Sequence, residues 1–164
     1  MFPRKQQTRL TPEQALQKIR HYCAYQERAH QETKEKLYGM GLSKKDVETL
    51  LAQLIEEDYL NESRFATQFA GGHFRLKKWG RQKIVYELKQ KRVSDYNIKA
   101  ALKEIPEEDY RQTLRKLAET RWKALRGEQY LVRQSKTTTY LLAKGYESAL
   151  VQKAVAACRA AGKE

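Results

Sequence analysis

The chain has 164 residues, with 33 Lys+Arg against 20 Asp+Glu, a formal net charge of +13 and 40% hydrophobic residues. That imbalance favours polyanionic partners (nucleic acid, an anionic membrane surface or an acidic protein), and so low an apolar share makes a core only if it falls in regular stripes. No apolar run approaches the ~18 residues needed to cross a membrane, and the start, through Met1, Phe2 and Pro3, has no secretory apolar stretch, so a cytoplasmic protein is expected.

In chain order, residues 1–10 read as a flexible tail. Thr11-Pro12-Glu13-Gln14 then places a capping threonine, a proline at the first helical position and a glutamine at the third. Leu16, Ile19 and Cys23 give this first helix its buried stripe. A middle helix ends near Leu37, and Gly41 supplies a left-handed stop because it lacks the Cβ that penalises positive φ. Ser43 caps a third helix, whose Val47, Leu50, Leu51 and Leu54 recur at helical spacing.

The pattern then restarts. Asn61 caps a helix with Phe65 and Phe69 on one face, a middle helix ends near Leu88, and Ser94 caps the next. Arg92 stands at the place of Gly41, so that turn is expected to close differently. In the third round Pro106 precedes Glu107-Glu108-Asp109, acids suited to the positive end of a helix dipole. That helix continues through Tyr110, Leu114, Leu117 and Trp122. A middle helix ends near Leu141 and Gly145, and Glu147-Ser148 opens the last.

An internal repeat follows from these positions. Leu37, Leu42, Val47, Leu50 and Leu51 match Leu88, Val93, Ile98, Ala101 and Leu102, and again Leu141, Tyr146, Val151, Ala154 and Val155. The expected fold is all-α: three tandem three-helix repeats in an elongated, curved, right-handed arrangement. Their expected spans are 11–60, 61–105 and 106–160, with 161–164 as a tail. About 50 residues bury too little surface to be stable alone, so neighbouring units should share a surface.

No phosphate-cradling glycine loop, serine–histidine pair or convergent carboxylates occur, so an enzyme is not expected. His21, His30 and His73 are scattered, so neither a metal nor another cofactor is expected. Cys23 and Cys158 lie in apolar helical patterns and read as buried thiols.

The run Glu56-Glu57-Asp58-Tyr59-Leu60-Asn61-Glu62-Ser63-Arg64-Phe65-Ala66 and the following Lys78-Trp79-Gly80-Arg81-Gln82-Lys83-Ile84 carry a resemblance. The first resembles an acidic pair, a glycine, tyrosine-leucine and arginine-phenylalanine-alanine. The second resembles a basic–tryptophan–glycine helix start, and Leu88-Lys89-Gln90-Lys91 its leucine-rich end. Together they resemble the RecX family over about residues 35–100. Asp58 departs from the pattern's glycine and is expected to keep the left-handed turn at some strain. The resemblance implies a fold of three-helix repeats. It also implies a regulator that binds RecA filaments on single-stranded DNA and limits their ATPase and strand exchange, within DNA repair and the SOS response.

The cations most densely placed for contact are Arg75, Lys77, Lys78, Arg81, Lys83, Lys89, Lys91 and Arg92, opposed along that stretch only by Glu87. Arg115, Arg121 and Lys136 are added from the third unit. Trp79 has two readings, packing into an inter-helix corner, which its position before a glycine favours, or stacking on a base. Tyr59, Tyr86 and Tyr146 read as structural, and Arg64 as pairing with Glu56, Glu57 or Asp58. The expected partners are a RecA filament and single-stranded DNA, with duplex DNA possible, and the expected state is a monomer. Two other functions compete: a helix-turn-helix-like protein binding DNA without sequence preference and without RecA, and a scaffold for protein contacts alone.

Overall fold

The computed structural model describes residues 9–162, and among them it contains helices and no strands. α1 spans Pro12–Tyr25, α2 His30–Gly39 and α3 Lys44–Glu56. They are followed by α4 (Glu62–Lys77), α5 (Arg81–Gln90) and α6 (Asp95–Lys103), then α7 (Glu107–Ala124), α8 (Tyr130–Lys144) and α9 (Ser148–Ala161). The helices pack in consecutive threes.

Local chemistry sets their starts. The Thr11 hydroxyl accepts from the Gln14 amide at 3.2 Å while the Gln14 side chain accepts from the Thr11 amide at 3.1 Å, a reciprocal capping box. Ser43, Asn61 and Ser94 each accept from the amide three residues on. Glu147 also precedes its helix, but its carboxylate makes no capping bond and is used elsewhere.

The ends use left-handed residues. Gly41 has φ +84° and Gly145 φ +101°, as their residue type demands. Arg92 corrects the expectation of a different closure, because it takes the same left-handed conformation at φ +59°. The Val93 amide donates to Leu88, just as the Tyr146 amide donates to Leu141. A side chain in this region costs roughly 1–2 kcal/mol relative to glycine. Asp58 keeps its turn in the same way, at φ +64°.

The repeat offsets are the core. Leu37, Leu88 and Leu141 are fully buried, as are Val47 and Val151, with Ile98 close to it. In α1 the stripe is Ala15, Ile19 and Cys23, with Leu16 only half-buried. Tyr146 is buried and Tyr59 half-buried, but Tyr86 is 61% exposed, which corrects its structural reading. Leu10, which falls in the expected tail, packs on the first core and its amide donates to the Met40 carbonyl. The rest of that tail, residues 1–8, and residues 163–164 lie outside the described part.

The units are not joined alike. α4–α9 share one core, running from Phe65 through Ile84 and Tyr110 to Val155. α1–α3 enclose their own. Between α1–α3 and α4–α6, apart from Ala29, the connection is largely polar. Arg64 pairs with Glu27 and with Asp58, the latter at 3.2 Å, and Lys91 lies 3.9 Å from Glu32. Glu57, another partner expected for Arg64, is instead bound by Arg20 at 2.7 Å.

Candidate nucleic-acid interface

The basic stretch 75–92 does not form one face. Arg75 and Lys77 occupy the last turn of α4, Lys78 turns the chain in a left-handed conformation, and Arg81 begins α5. Arg75 and Lys78 line one hollow, whereas Arg81 faces another way.

Arg81 is turned inward. Its guanidinium donates to Glu147 at 2.9 Å, pairs with Glu107 and lies 3.8 Å from the centre of the Tyr110 ring. Tyr110 completes the knot: its hydroxyl donates to Glu147 and accepts from the Arg81 amide at 3.0 Å. Burial raises the Tyr110 phenol well above its ordinary value, so it remains a donor. Arg81 therefore joins α5 to α7 and α9, which corrects its place among the expected contact residues. Lys91 is likewise engaged, with Glu32.

Trp79 is half-buried in an aromatic ladder, 4.4 Å from His73, which in turn lies 4.0 Å from Phe69. The ammonium groups of Lys77 and Lys83 stand 5.4 and 4.8 Å from its ring. Lys89 and Arg92 are exposed at the far end of α5 and line none of the hollows described below.

Arg75 and Lys78 meet the third unit. Between the end of α4, one face of α7 and α8 run three hollows of about 250, 460 and 420 Å³. Lys78, Thr113 and Lys116 belong to the first two, and Arg121 and Tyr140 to the last two, so the hollows form one continuous groove. Its cations are Arg75, Lys78, Lys116, Arg121 and Lys136, and its hydroxyls come from Thr113, Thr120, Ser135 and Thr139. Asp109, at one end, is the carboxylate in its walls.

Arg121 sits at the middle. Its guanidinium is 5.1 Å from the Tyr140 ring centre, and its buried Nε has no hydrogen-bond partner among the described residues. A buried donor left unpaired costs free energy. Lys136 is tied to Glu128 at 3.0 Å, whereas Arg75, Lys78, Lys116 and Arg121 have no carboxylate within 4 Å among the described residues. Arg115, by contrast, lies on the other face of α7, in a different hollow. Of the expected contact residues the groove thus gathers Arg75, Lys78, Arg121 and Lys136. Lys116, Tyr140 and the hydroxyls are the additions.

The family models for the second and third three-helix domains of RecX match residues 61–102 and 107–155. The regulatory protein RecX of Prosthecochloris aestuarii is 30% identical over 138 residues, covering 84% of this chain and 89% of that protein. The chain belongs to the RecX family. The regulatory protein RecX of Clostridium tetani is 31% identical over 114 residues, 68% of this chain and 52% of its own length. Against the RecX of Lactobacillus johnsonii, 33% identical over 96 residues, the match spans 58% of this chain but 35% of that protein. Several RecX relatives are thus much longer than the stretch they share with this chain. The crystal structure of RecX from Lactobacillus salivarius superposes with a TM-score of 0.82 over 90% of this chain and 96% of that one, at 20% identity. At that identity it shows the all-α repeat fold alone.

Proposed function

We propose that this RecX-family chain is a cytoplasmic regulator that binds RecA filaments on single-stranded DNA and restrains their ATPase and strand exchange. It acts by binding, not by chemistry of its own. Membership of a family whose curated relatives are named regulatory proteins carries this reading. The groove between α4, α7 and α8 supports it. Several cations there have no carboxylate partner, and hydroxyls lie among them, a composition suited to phosphate oxygens. Contacts made to phosphate oxygens carry no sequence information, as a filament regulator requires.

Co-sedimentation tests the partner. The chain should pellet with RecA assembled on single-stranded DNA and do so less as salt rises, with a slope of roughly 0.7 per phosphate neutralised. A chain that stays in the supernatant at low salt, with filaments intact, contradicts the reading.

A further inference from the structure

α7 presents a second cationic groove on its other side, with a different chemistry. This hollow, of about 510 Å³, lies between α7 and α9. Its floor is apolar, built from Trp122, Ala154, Ala157 and Cys158, and its rim carries Arg115, Lys123, Arg126 and Arg133 against Glu119 alone. None of those four cations has a carboxylate within 4 Å among the described residues.

Arg133 is held in advance of any ligand. Its Nε donates to the Trp122 carbonyl at 2.9 Å and its guanidinium stacks 4.0 Å from the Trp122 ring centre. That fixes the plane of the fork while neither terminal nitrogen has a partner among the described residues. A guanidinium fixed in this way meets a carboxylate with two parallel bonds and loses little side-chain freedom. Tryptophan and arginine are also the residues on which protein interfaces concentrate their binding free energy.

We propose that this groove receives an acidic, amphipathic helical segment of a partner protein. Apolar side chains of the segment would sit over Trp122 and the alanines of α9, and its carboxylates would meet Arg133, Lys123 and Arg115. The two sides of α7 divide the candidates. The α4–α7–α8 groove has hydroxyls among its cations, which suits phosphates. In the α7–α9 groove a phosphodiester chain could bond only the rim cations, and desolvating phosphates against the apolar floor is unfavourable. An amphipathic segment has the matching pattern, apolar towards the floor and anionic towards the rim. The inference stands on this surface and does not require RecA.

The test is fluorescence anisotropy with a labelled synthetic peptide whose leucines recur at helical spacing among glutamates, in the absence of DNA and RecA. The same peptide with serine for leucine should bind at least about tenfold more weakly. Ala157→Trp, which fills the groove from an exposed position, and the triple reversal Arg115→Glu, Lys123→Glu, Arg126→Glu should each cause a similar loss. Both variants should keep the wild-type thermal transition, and unlabelled oligothymidylate should not displace the peptide. Equal affinity for the serine peptide, wild-type binding by folded variants, displacement by oligothymidylate, or no peptide binding would each overturn the proposal.

Discussion

The Gly80 amide donates to the Lys144 carbonyl across 2.8 Å, so α5 begins where α8 ends. The Gln82 amide does the same to Gly145 at 2.9 Å. The first amides of one helix and the last carbonyls of another are groups that ordinarily lack partners, and here each set satisfies the other with dipoles aligned head to tail. Tyr146 donates to the Lys78 carbonyl at 2.8 Å, and Lys144 to that of Lys77 at 3.0 Å, closing the joint. Both glycines are required by proximity. A Cβ on Gly80 would stand 2.3 Å from the Gly145 carbonyl carbon, and one on Gly145 would stand 2.4 Å from the Lys83 Cβ. The glycine of the tryptophan–glycine motif therefore docks the second unit onto the third.

Gly80→Ala should destabilise the protein by about 2–3 kcal/mol, because backbone, not a yielding side chain, occupies the space of the new methyl. Urea unfolding followed by circular dichroism measures this. A loss within about 0.5 kcal/mol, the range of an ordinary surface change, would contradict the joint as described.

Arg81 and Lys89 differ in the same experiment, though both look alike as cations in the sequence. Arg81→Ala removes the guanidinium that bonds Glu147 and lies over the Tyr110 ring, and should cost about 2–3 kcal/mol. Arg81→Lys should recover little, since one ammonium cannot serve Glu107 and Glu147 in the fork geometry. Lys89→Ala, on an exposed position, should stay within about 0.5 kcal/mol of wild type. Equal effects of the two alanine substitutions would refute the internal role of Arg81.

Acid should loosen the same joint. Hydrogen bonds from Arg111 first, and then from Arg81, hold the Glu107 carboxyl below its ordinary value. Bonds from Arg20 and Gln53 do so for Glu57. A carboxyl lowered in the folded state binds fewer protons there than when unfolded. Its contribution is thus complete above the unfolded value, near 4.5, and is lost as pH falls below it towards the folded one. The melting temperature should therefore drop on going from pH 6 to pH 3, and Glu107→Gln should flatten that drop. A profile that Glu107→Gln leaves unchanged would remove Glu107 from the account.

The parts of the molecule legible in the sequence are those that depend on near neighbours. The caps at Thr11, Ser43, Asn61 and Ser94 act over three residues, and the repeat of Leu37, Leu88 and Leu141 records burial on one helix face. Arg81 stands among the contact cations in the sequence because its carboxylates lie 26 and 66 positions away and only the fold brings them near. The groove was only half legible for the same reason. Arg75 and Lys78 stand out as a dense run, but Lys116 and Tyr140 join them only once α7 and α8 have packed. Arg92 shows the reverse error: its residue type argued against a left-handed turn that the surrounding packing imposes.

The most direct test of the central claim is the DNA-dependent ATPase of RecA pre-assembled on single-stranded DNA, with the chain titrated in, alongside Lys116→Glu/Arg121→Glu. Wild type should suppress the ATPase, and the double variant, with an unchanged melting temperature, should need at least about tenfold more protein for the same effect. No suppression by wild type at any ratio would contradict the regulatory reading, and equal suppression by both proteins would move the contact away from the groove.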